Sequence, residues 1–123
     1  MDFRFTKFER LTRKKEFEKV FGEGTVLKNA EVVLYVMHND LPNARLGLVV
    51  SKKVGNAPRR NRAKRLLREV YRLNKHFLKV HVDIVVIPRH PFSSDIKLSD
   101  ITNGFRKLLL QINEIFAHED SHH

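Results

Sequence analysis

Cysteine and tryptophan are absent from the 123 residues, and no apolar run approaches the roughly 20 residues of a membrane span. Without cysteine the chain can form no disulfide and carries no thiolate nucleophile or thiolate metal ligand. The start of the chain, MDFRFTKFER, mixes charged and aromatic residues and lacks the apolar segment of a secretory signal. These absences favour a cytoplasmic protein.

The composition is that of a folded domain. Apolar residues make up 41% of the chain and include nine Phe, which is enough to bury a core. The length suits one compact domain, and the sequence has no internal repeat, low-complexity tract or linker-like stretch. We therefore expect a single domain over residues 1–117 and a disordered tail over residues 118–123.

The positive charge is concentrated in one segment. Of the net charge of +10, the segment Lys52–Arg72 carries +8, because it holds nine Lys and Arg and one acid. The remaining residues hold fifteen Lys and Arg and thirteen acids, a net charge of +2. A single basic block of this kind indicates a polyanionic partner, either a nucleic acid or an anionic membrane face.

The apolar residues alternate between helical and strand spacing along the chain. Helical spacing covers residues 12–21, 58–73 and 99–116, and strand-like runs cover residues 25–28, 31–38, 45–51 and 83–88. This order, α-β-β-β-α-β-α, predicts an α+β fold: a single two-layer sandwich with a mixed sheet of about four strands and three helices. Strands 31–38 and 45–51 are predicted to pair as an antiparallel hairpin. Strand 45–51, the basic helix and strand 83–88 are predicted to form a β-α-β unit.

The helix predicted over residues 58–73 separates its apolar residues from its basic ones. With about 100° per residue, an arc of about 140° holds Ala63, Leu66, Leu67, Val70 and Tyr71. The opposite side holds, within about 60°, Asn61, Arg65, Arg68 and Arg72. Like charges four residues apart repel, and cations near a helix N-terminus oppose the helix dipole. Because a polyanion would reverse each of these effects, the stripe indicates a phosphate-binding surface.

Other interpretations of the basic segment have less support. A solvated charged face normally alternates in sign, which this segment does not. A protein nuclease would need clustered acids for metal ions or a His pair, but Asp83, Asp95 and Asp100 share no helical or strand spacing. A helix-turn-helix DNA-binding domain would need a partner helix before the basic helix, where this chain has a strand. A ribosomal or other structural RNA-binding protein remains the alternative, since basicity alone does not exclude it.

At the basic helix the sequence resembles the protein subunit of bacterial ribonuclease P. That family carries Ser-Lys-Lys-x-Gly-Asn-Ala before a helix with an Arg-Asn-Arg core, and here these motifs run from Ser51 to Ala57 and from Arg60 to Glu69. The resemblance extends over roughly residues 9–112. Pro58 stands where the family usually has a non-proline residue, which bears on where the helix begins.

The resemblance implies a function. In this family the protein assists a catalytic RNA, and the complex is an endoribonuclease that removes the 5′ leader from precursor tRNA. We therefore expect two partners, the catalytic RNA and precursor tRNA, and neither DNA nor a membrane. The protein itself is expected to bind no cofactor, with magnesium at the active site of the RNA. The resemblance also implies a left-handed β-α-β crossover, against the usual right-handed preference.

The resemblance and the charge pattern together assign residues to two RNA surfaces. The catalytic RNA is expected to contact Asn56, Arg59, Arg60, Asn61, Arg62, Lys64, Arg65, Arg68 and Arg72. The leader is expected to lie in an aromatic cleft formed by Phe17, Phe21, Val33, Tyr35, Lys52 and Lys53. Rings beside cations suit single-stranded RNA, because bases stack on the rings while the cations hold the phosphates. No catalytic or metal-binding residue is assigned to the protein.

Overall fold

A computed structural model describes residues 3–89, 92 and 95–120. Its helices and strands are α1 (Lys14–Glu23), β1 (Thr25–Lys28), β2 (Val32–His38), β3 (Arg45–Leu48), α2 (Ala57–Asn74), β4 (Val82–Pro88) and α3 (Leu98–Asp120). Short 3-10 turns occupy Lys7–Glu9, Lys52–Val54 and Lys75–Phe77. The element order and the α+β class agree with the prediction from sequence.

The sheet has the strand order β1-β2-β4-β3, so the predicted hairpin between residues 31–38 and 45–51 is wrong. Strand β4 lies between the two, antiparallel to β2 and parallel to β3. The reason is burial: six of the seven residues of β4 are buried, and such a strand belongs in the centre, covered on both faces. The predicted β-α-β unit is confirmed, with α2 connecting the parallel strands β3 and β4.

Alternate residues of the central strands face two different layers. On one face Leu34, Ile84 and Val86 are fully buried in the main core, with side chains of α2 and α3. On the other face Tyr35 and Val85 belong to a smaller cluster with side chains of α1. Because α1 covers only part of this second face, Tyr35 stays half-buried.

Helix α2 begins where a capping residue and a glycine allow the turn. The Asn56 side chain accepts a hydrogen bond from the Arg59 backbone N–H at 3.1 Å, which satisfies one of the free donors of the first turn. Gly55 before it has φ 147°, a conformation that other residues rarely adopt. The helix therefore begins at Ala57, one residue before the predicted start, and Pro58 lies in its first turn. Its predicted apolar side is confirmed, with Leu67 fully buried.

The N-terminal arm, residues 3–11, closes the exposed edge of the sheet. The Leu11 backbone N–H donates to the Leu46 carbonyl at 2.9 Å, so the arm covers the edge strand β3. Nearby, the Phe5 ring packs edge-on against Tyr71 of α2 at 5.7 Å between centroids. The arm therefore contacts both β3 and α2, the helix that follows β3 in the chain.

The last helix is longer than its predicted span of residues 99–116, because α3 runs to Asp120. Residues 121–123 of the predicted tail lie outside the described residues. None of the helices that the structure describes is long and apolar enough to cross a membrane.

Candidate RNA interface

One side of α2 presents cations that the fold does not neutralise. We call this the α2 basic face and define it as Asn61, Lys64, Arg65 and Arg68. Arg65 and Arg68 are exposed, and Lys64 is half-buried. Within residues 3–89, 92 and 95–120, none of these three cations forms an ion pair. The buried side of α2 therefore fixes a rigid row of charges that an external anion can reach.

Three other arginines of α2 are held by the protein itself. Arg60 donates to the Gly55 carbonyl at 2.9 Å and so ties the first turn to the loop before it. Arg62 donates to the backbone carbonyl of Ile96. Arg72 donates to both carboxylate oxygens of Glu69 and to the Phe3 carbonyl. RNA contacts by these arginines stay predictions, and for Arg72 such a contact would compete with Glu69.

Glu69, the acid of the basic segment, is paired with Arg72 in the last turns of α2. The hydrogen bonds from Arg72 lower the pKa of Glu69 and outweigh its burial, which acts in the opposite direction. The ion pair joins residues three apart on the same helix. The negative charge therefore cancels that of Arg72 and leaves Arg65 and Arg68 uncompensated.

The four apolar residues predicted to form the aromatic cleft lie on α1 and on the facing strand β2: Phe17, Phe21, Val33 and Tyr35. The rings of Phe21 and Tyr35 meet edge to face, with centroids 4.9 Å apart, and Phe21 is 38% exposed. Phe17 is half-buried and lies over Gly47, where an added Cβ would stand 2.6 Å from the Phe17 ring. The structure therefore brings Phe21 and Tyr35 into contact and packs Phe17 in the same cluster as Tyr35, whereas Val33 shares only its strand face with Tyr35.

Lys52 and Lys53 leave the sheet at one end of this cleft. In the strand register Leu48 pairs with Val86, and Val33 pairs with Ile87, so β3 ends at the same end of the sheet as Val33. Both lysines are exposed in the 3-10 turn that follows β3. Their contact with the leader stays a prediction.

A groove of about 220 Å³ joins the cleft to α2. Phe17 and Gly47 line it on the cleft side, and Lys64 and Arg68 line it on the helix side. The two predicted RNA surfaces are therefore neighbours.

An ion-pair cluster that the sequence pattern did not indicate fixes α1 over the sheet. Arg45 donates to both oxygens of Asp83 at 2.9 and 2.7 Å and to Glu16 at 2.6 Å. Burial raises the pKa of Glu16, but the hydrogen bonds from Arg13 N–H and Arg45 together outweigh it, so the pKa lies below its ordinary value. The signal in the sequence is Asp83 itself, because an acid at the start of a buried strand requires a cation.

The Asp83 carboxylate therefore accepts hydrogen bonds from Arg45 and from the Asn39 side-chain amide, which donates to it at 2.8 Å. Across the residues that the structure describes, no three His, Asp or Glu side chains are grouped so that they could hold a metal ion. The acids considered for a protein nuclease are thus not brought together in this part of the chain.

Comparison with known proteins gives the family. The family model for ribonuclease P matches residues 5–113. The chain belongs to the ribonuclease P protein family. The ribonuclease P protein component of Thermotoga maritima is 40% identical over 111 residues, which cover 90% of this chain and 95% of that protein. The component of Bacillus pumilus is 48% identical over 90 residues, or 71% of this chain and 74% of that protein.

Solved ribonuclease P proteins share the fold. The Thermotoga maritima protein has a TM-score of 0.77 at 37% identity, and the match covers 84% of this chain and 96% of that one. The Staphylococcus aureus protein has a TM-score of 0.74 at 33% identity, with coverage of 88% and 97%. The predicted family and the predicted α+β fold are therefore confirmed.

Proposed function

We propose that this chain is the protein component of a ribonuclease P ribonucleoprotein, which removes the 5′ leader of precursor tRNA. The relatives that cover nearly the whole chain are ribonuclease P protein components. The observation that carries the proposal is the α2 basic face, a rigid row of uncompensated cations next to an aromatic cleft. The charges of the α2 basic face repel one another and so do not serve stability, and cations beside aromatic rings suit RNA.

In this proposal the α2 basic face binds the catalytic RNA. Arginine can donate two parallel hydrogen bonds to a phosphate, and each cation that meets a phosphate releases counterions. The face is held in place by the buried side of α2, so binding costs little ordering of the backbone.

The aromatic cleft binds the leader of precursor tRNA. A leader is single-stranded, so its bases are free to stack on Phe21 and Tyr35, and Lys52 and Lys53 are placed to hold its phosphates. Hydrolysis takes place in the RNA subunit, with magnesium at the active site of that RNA. The protein contributes binding and orientation, and we expect neither DNA nor a membrane as a partner.

The first test replaces Arg65 and Arg68 with Ala together. Affinity for the catalytic RNA should fall, and the dependence of log affinity on log salt should flatten by about one unit per lost phosphate contact. The control variant Lys79→Ala/Lys107→Ala removes the same charge outside α2 and should keep the wild-type slope. Equal slopes in wild type and the Arg65/Arg68 variant would contradict the role of the α2 basic face.

The second test concerns the cleft and uses reconstituted holoenzyme. Tyr35→Ala should weaken precursor tRNA binding by about fivefold or more, the lower range for loss of one stacked base, and should leave mature tRNA binding unchanged. Tyr35→Phe keeps the ring and should retain affinity for precursor tRNA. Equal losses for precursor and mature tRNA would show that Tyr35 acts through the fold and not through the leader.

A further inference from the structure

We propose that a second groove, at the N-terminal arm, binds an unpaired nucleotide of the catalytic RNA. This inference rests on the proposed function and extends the RNA surface beyond α2. The N-terminal groove has a volume of about 650 Å³. It lies between the 3-10 turn Lys7–Glu9, the start of α1 and the loop of residues 41–43.

Phe8 offers an aromatic surface in this groove. Phe8 is 71% exposed, the largest value among the exposed large apolar residues described, and Lys7 Nζ stands 5.5 Å from the ring centroid. The backbone beneath it is fixed, because the Asn43 side-chain amide donates to the Phe8 carbonyl at 2.9 Å. Glu9 next to it is paired with Lys75 at 2.7 Å. The exposed ring is therefore carried by a backbone that is fixed in place.

The groove carries an excess of positive charge. Lys7, Arg10 and Arg13 line it, and Glu16 is the acid among its described lining residues. Both oxygens of Glu16 are already used, one by the Arg13 backbone N–H at 3.1 Å and the other by Arg45 at 2.6 Å. Lys7 and Arg13 are thus available to an external anion, whereas Arg10 donates to the Phe5 carbonyl at 3.2 Å. An aromatic ring beside cations matches a base and its phosphate.

A single exposed apolar side chain is common on protein surfaces, so Phe8 alone would indicate nothing. Continuity with the α2 basic face selects the occupant. Arg10 lines both the N-terminal groove and the 220 Å³ groove that contains Lys64 and Arg68. One RNA that lies on α2 can therefore continue past Arg10 to Phe8.

The leader is the less suitable occupant, because Lys52 and Lys53, the cations proposed to hold its phosphates, lie at the other end of β3 from the N-terminal groove. Arg45, at the start of β3, lines this groove, whereas Lys52 follows the opposite end of the strand. Seven residues of extended chain separate the two by about 20 Å. The base must be unpaired, since stacking on a side chain needs a base that is free of its helix.

The binding test measures affinity of the whole protein for its catalytic RNA over a range of salt. Phe8→Ala should weaken binding by about fivefold or more, with the salt slope unchanged because no charge is lost. Lys7→Ala/Arg13→Ala should weaken binding and flatten the slope by about one unit per lost phosphate contact. Leu110→Ala and Lys107→Ala are the controls on α3 and should match wild type, since neither residue lines the groove.

A fluorescence test reports the contact directly, because the natural sequence contains no tryptophan. Phe8→Trp should be quenched when the catalytic RNA binds, whereas Leu110→Trp should not. The inference would be overturned if Phe8→Ala and Lys7→Ala/Arg13→Ala both kept wild-type affinity and salt slope for the catalytic RNA. It would also be overturned if the fluorescence of Phe8→Trp were not quenched. An effect of Phe8→Ala on precursor tRNA binding by assembled holoenzyme without an effect on the catalytic RNA would overturn it too. If wild type itself fails to bind the catalytic RNA, the proposed function fails instead.

Discussion

Replacing Arg45 with methionine tests how α1 is fixed over the sheet. The guanidinium joins Asp83 of β4 to Glu16 in the first turn of α1, with three hydrogen bonds of 2.6 to 2.9 Å. Methionine keeps an unbranched apolar stem, so the substitution removes mainly the charge and these hydrogen bonds. Asp83 would keep its hydrogen bond from the Asn39 amide but lose its cation.

The magnitude follows from the exposure of the three side chains, which is 19% for Arg45, 25% for Glu16 and 8% for Asp83. Removing one partner of a fully buried ion pair costs about 3–5 kcal/mol, whereas an exposed pair contributes about 1 kcal/mol or less. Since Asp83 is nearly buried and the other two are partly solvated, Arg45→Met should lower the free energy of unfolding by about 2–3 kcal/mol.

The assay is urea unfolding at low salt, followed by far-UV circular dichroism, because urea does not screen charges. The pKa of Glu16 in the folded protein lies below its ordinary value of 4.5. Glu16 therefore stabilises the fold fully above pH 4.5, and this contribution disappears as the pH falls through the folded pKa. The difference between wild type and Arg45→Met should be full at about pH 7 and should shrink as the pH falls below the ordinary value for Glu.

The matched control is Lys14→Met, which removes a cation from α1, the helix that Arg45 holds over the sheet. Lys14 meets Glu18 at 3.9 Å with both side chains largely exposed, so its loss should leave stability nearly unchanged. Equal urea midpoints for Arg45→Met and Lys14→Met would refute the role given to Arg45. A wild-type advantage that stayed constant down to acid pH would refute the part assigned to Glu16.

Two further predictions concern glycines and are measured by thermal unfolding, with RNA binding where stated. Gly47→Ala should lower the free energy of unfolding by about 1–3 kcal/mol, because the added Cβ displaces the Phe17 ring. Affinity for precursor tRNA should therefore fall while affinity for the catalytic RNA stays unchanged. An equal loss of affinity for both RNAs would contradict this. Gly55→Ala should lower the free energy of unfolding by about 1–3 kcal/mol, because φ at this position is 147°. Gly22→Ala lies in open space on α1 and should raise the free energy of unfolding by up to about 1 kcal/mol. The same sign for both substitutions would be inconsistent with this account.

The parts of the fold that depend on neighbouring residues could be predicted from the sequence. The period of α2 identified its buried side, because the apolar residues that form this signal lie within a few residues of one another. The apolar run that became β4 was also recognised, since burial on both faces leaves a continuous pattern. Such features need no knowledge of what the rest of the chain does.

The parts that depend on distant residues could not be predicted. Strand β4 enters between β2 and β3 although it follows both in sequence, and local spacing does not specify such a pairing. Arg45 lies 29 residues from Glu16 and 38 from Asp83, so their ion pairs leave no periodic signal. The N-terminal groove likewise needs the arm to lie alongside β3, which the sequence alone did not indicate.

Repulsion between the cations of α2 lowers stability, so the effect of Arg68 on stability tells a binding role from a role in the fold. Arg68 has Lys64 four residues before it and Arg65 three residues before it, and these pairs repel by a few tenths of a kcal/mol each. Arg68→Ala should therefore raise the free energy of unfolding by about 0.5 kcal/mol at low salt while it weakens binding to the catalytic RNA. High salt should remove the gain, because the charges are exposed to screening. A loss of stability at low salt would mean that Arg68 supports the fold, and the α2 basic face would then need no RNA to explain it.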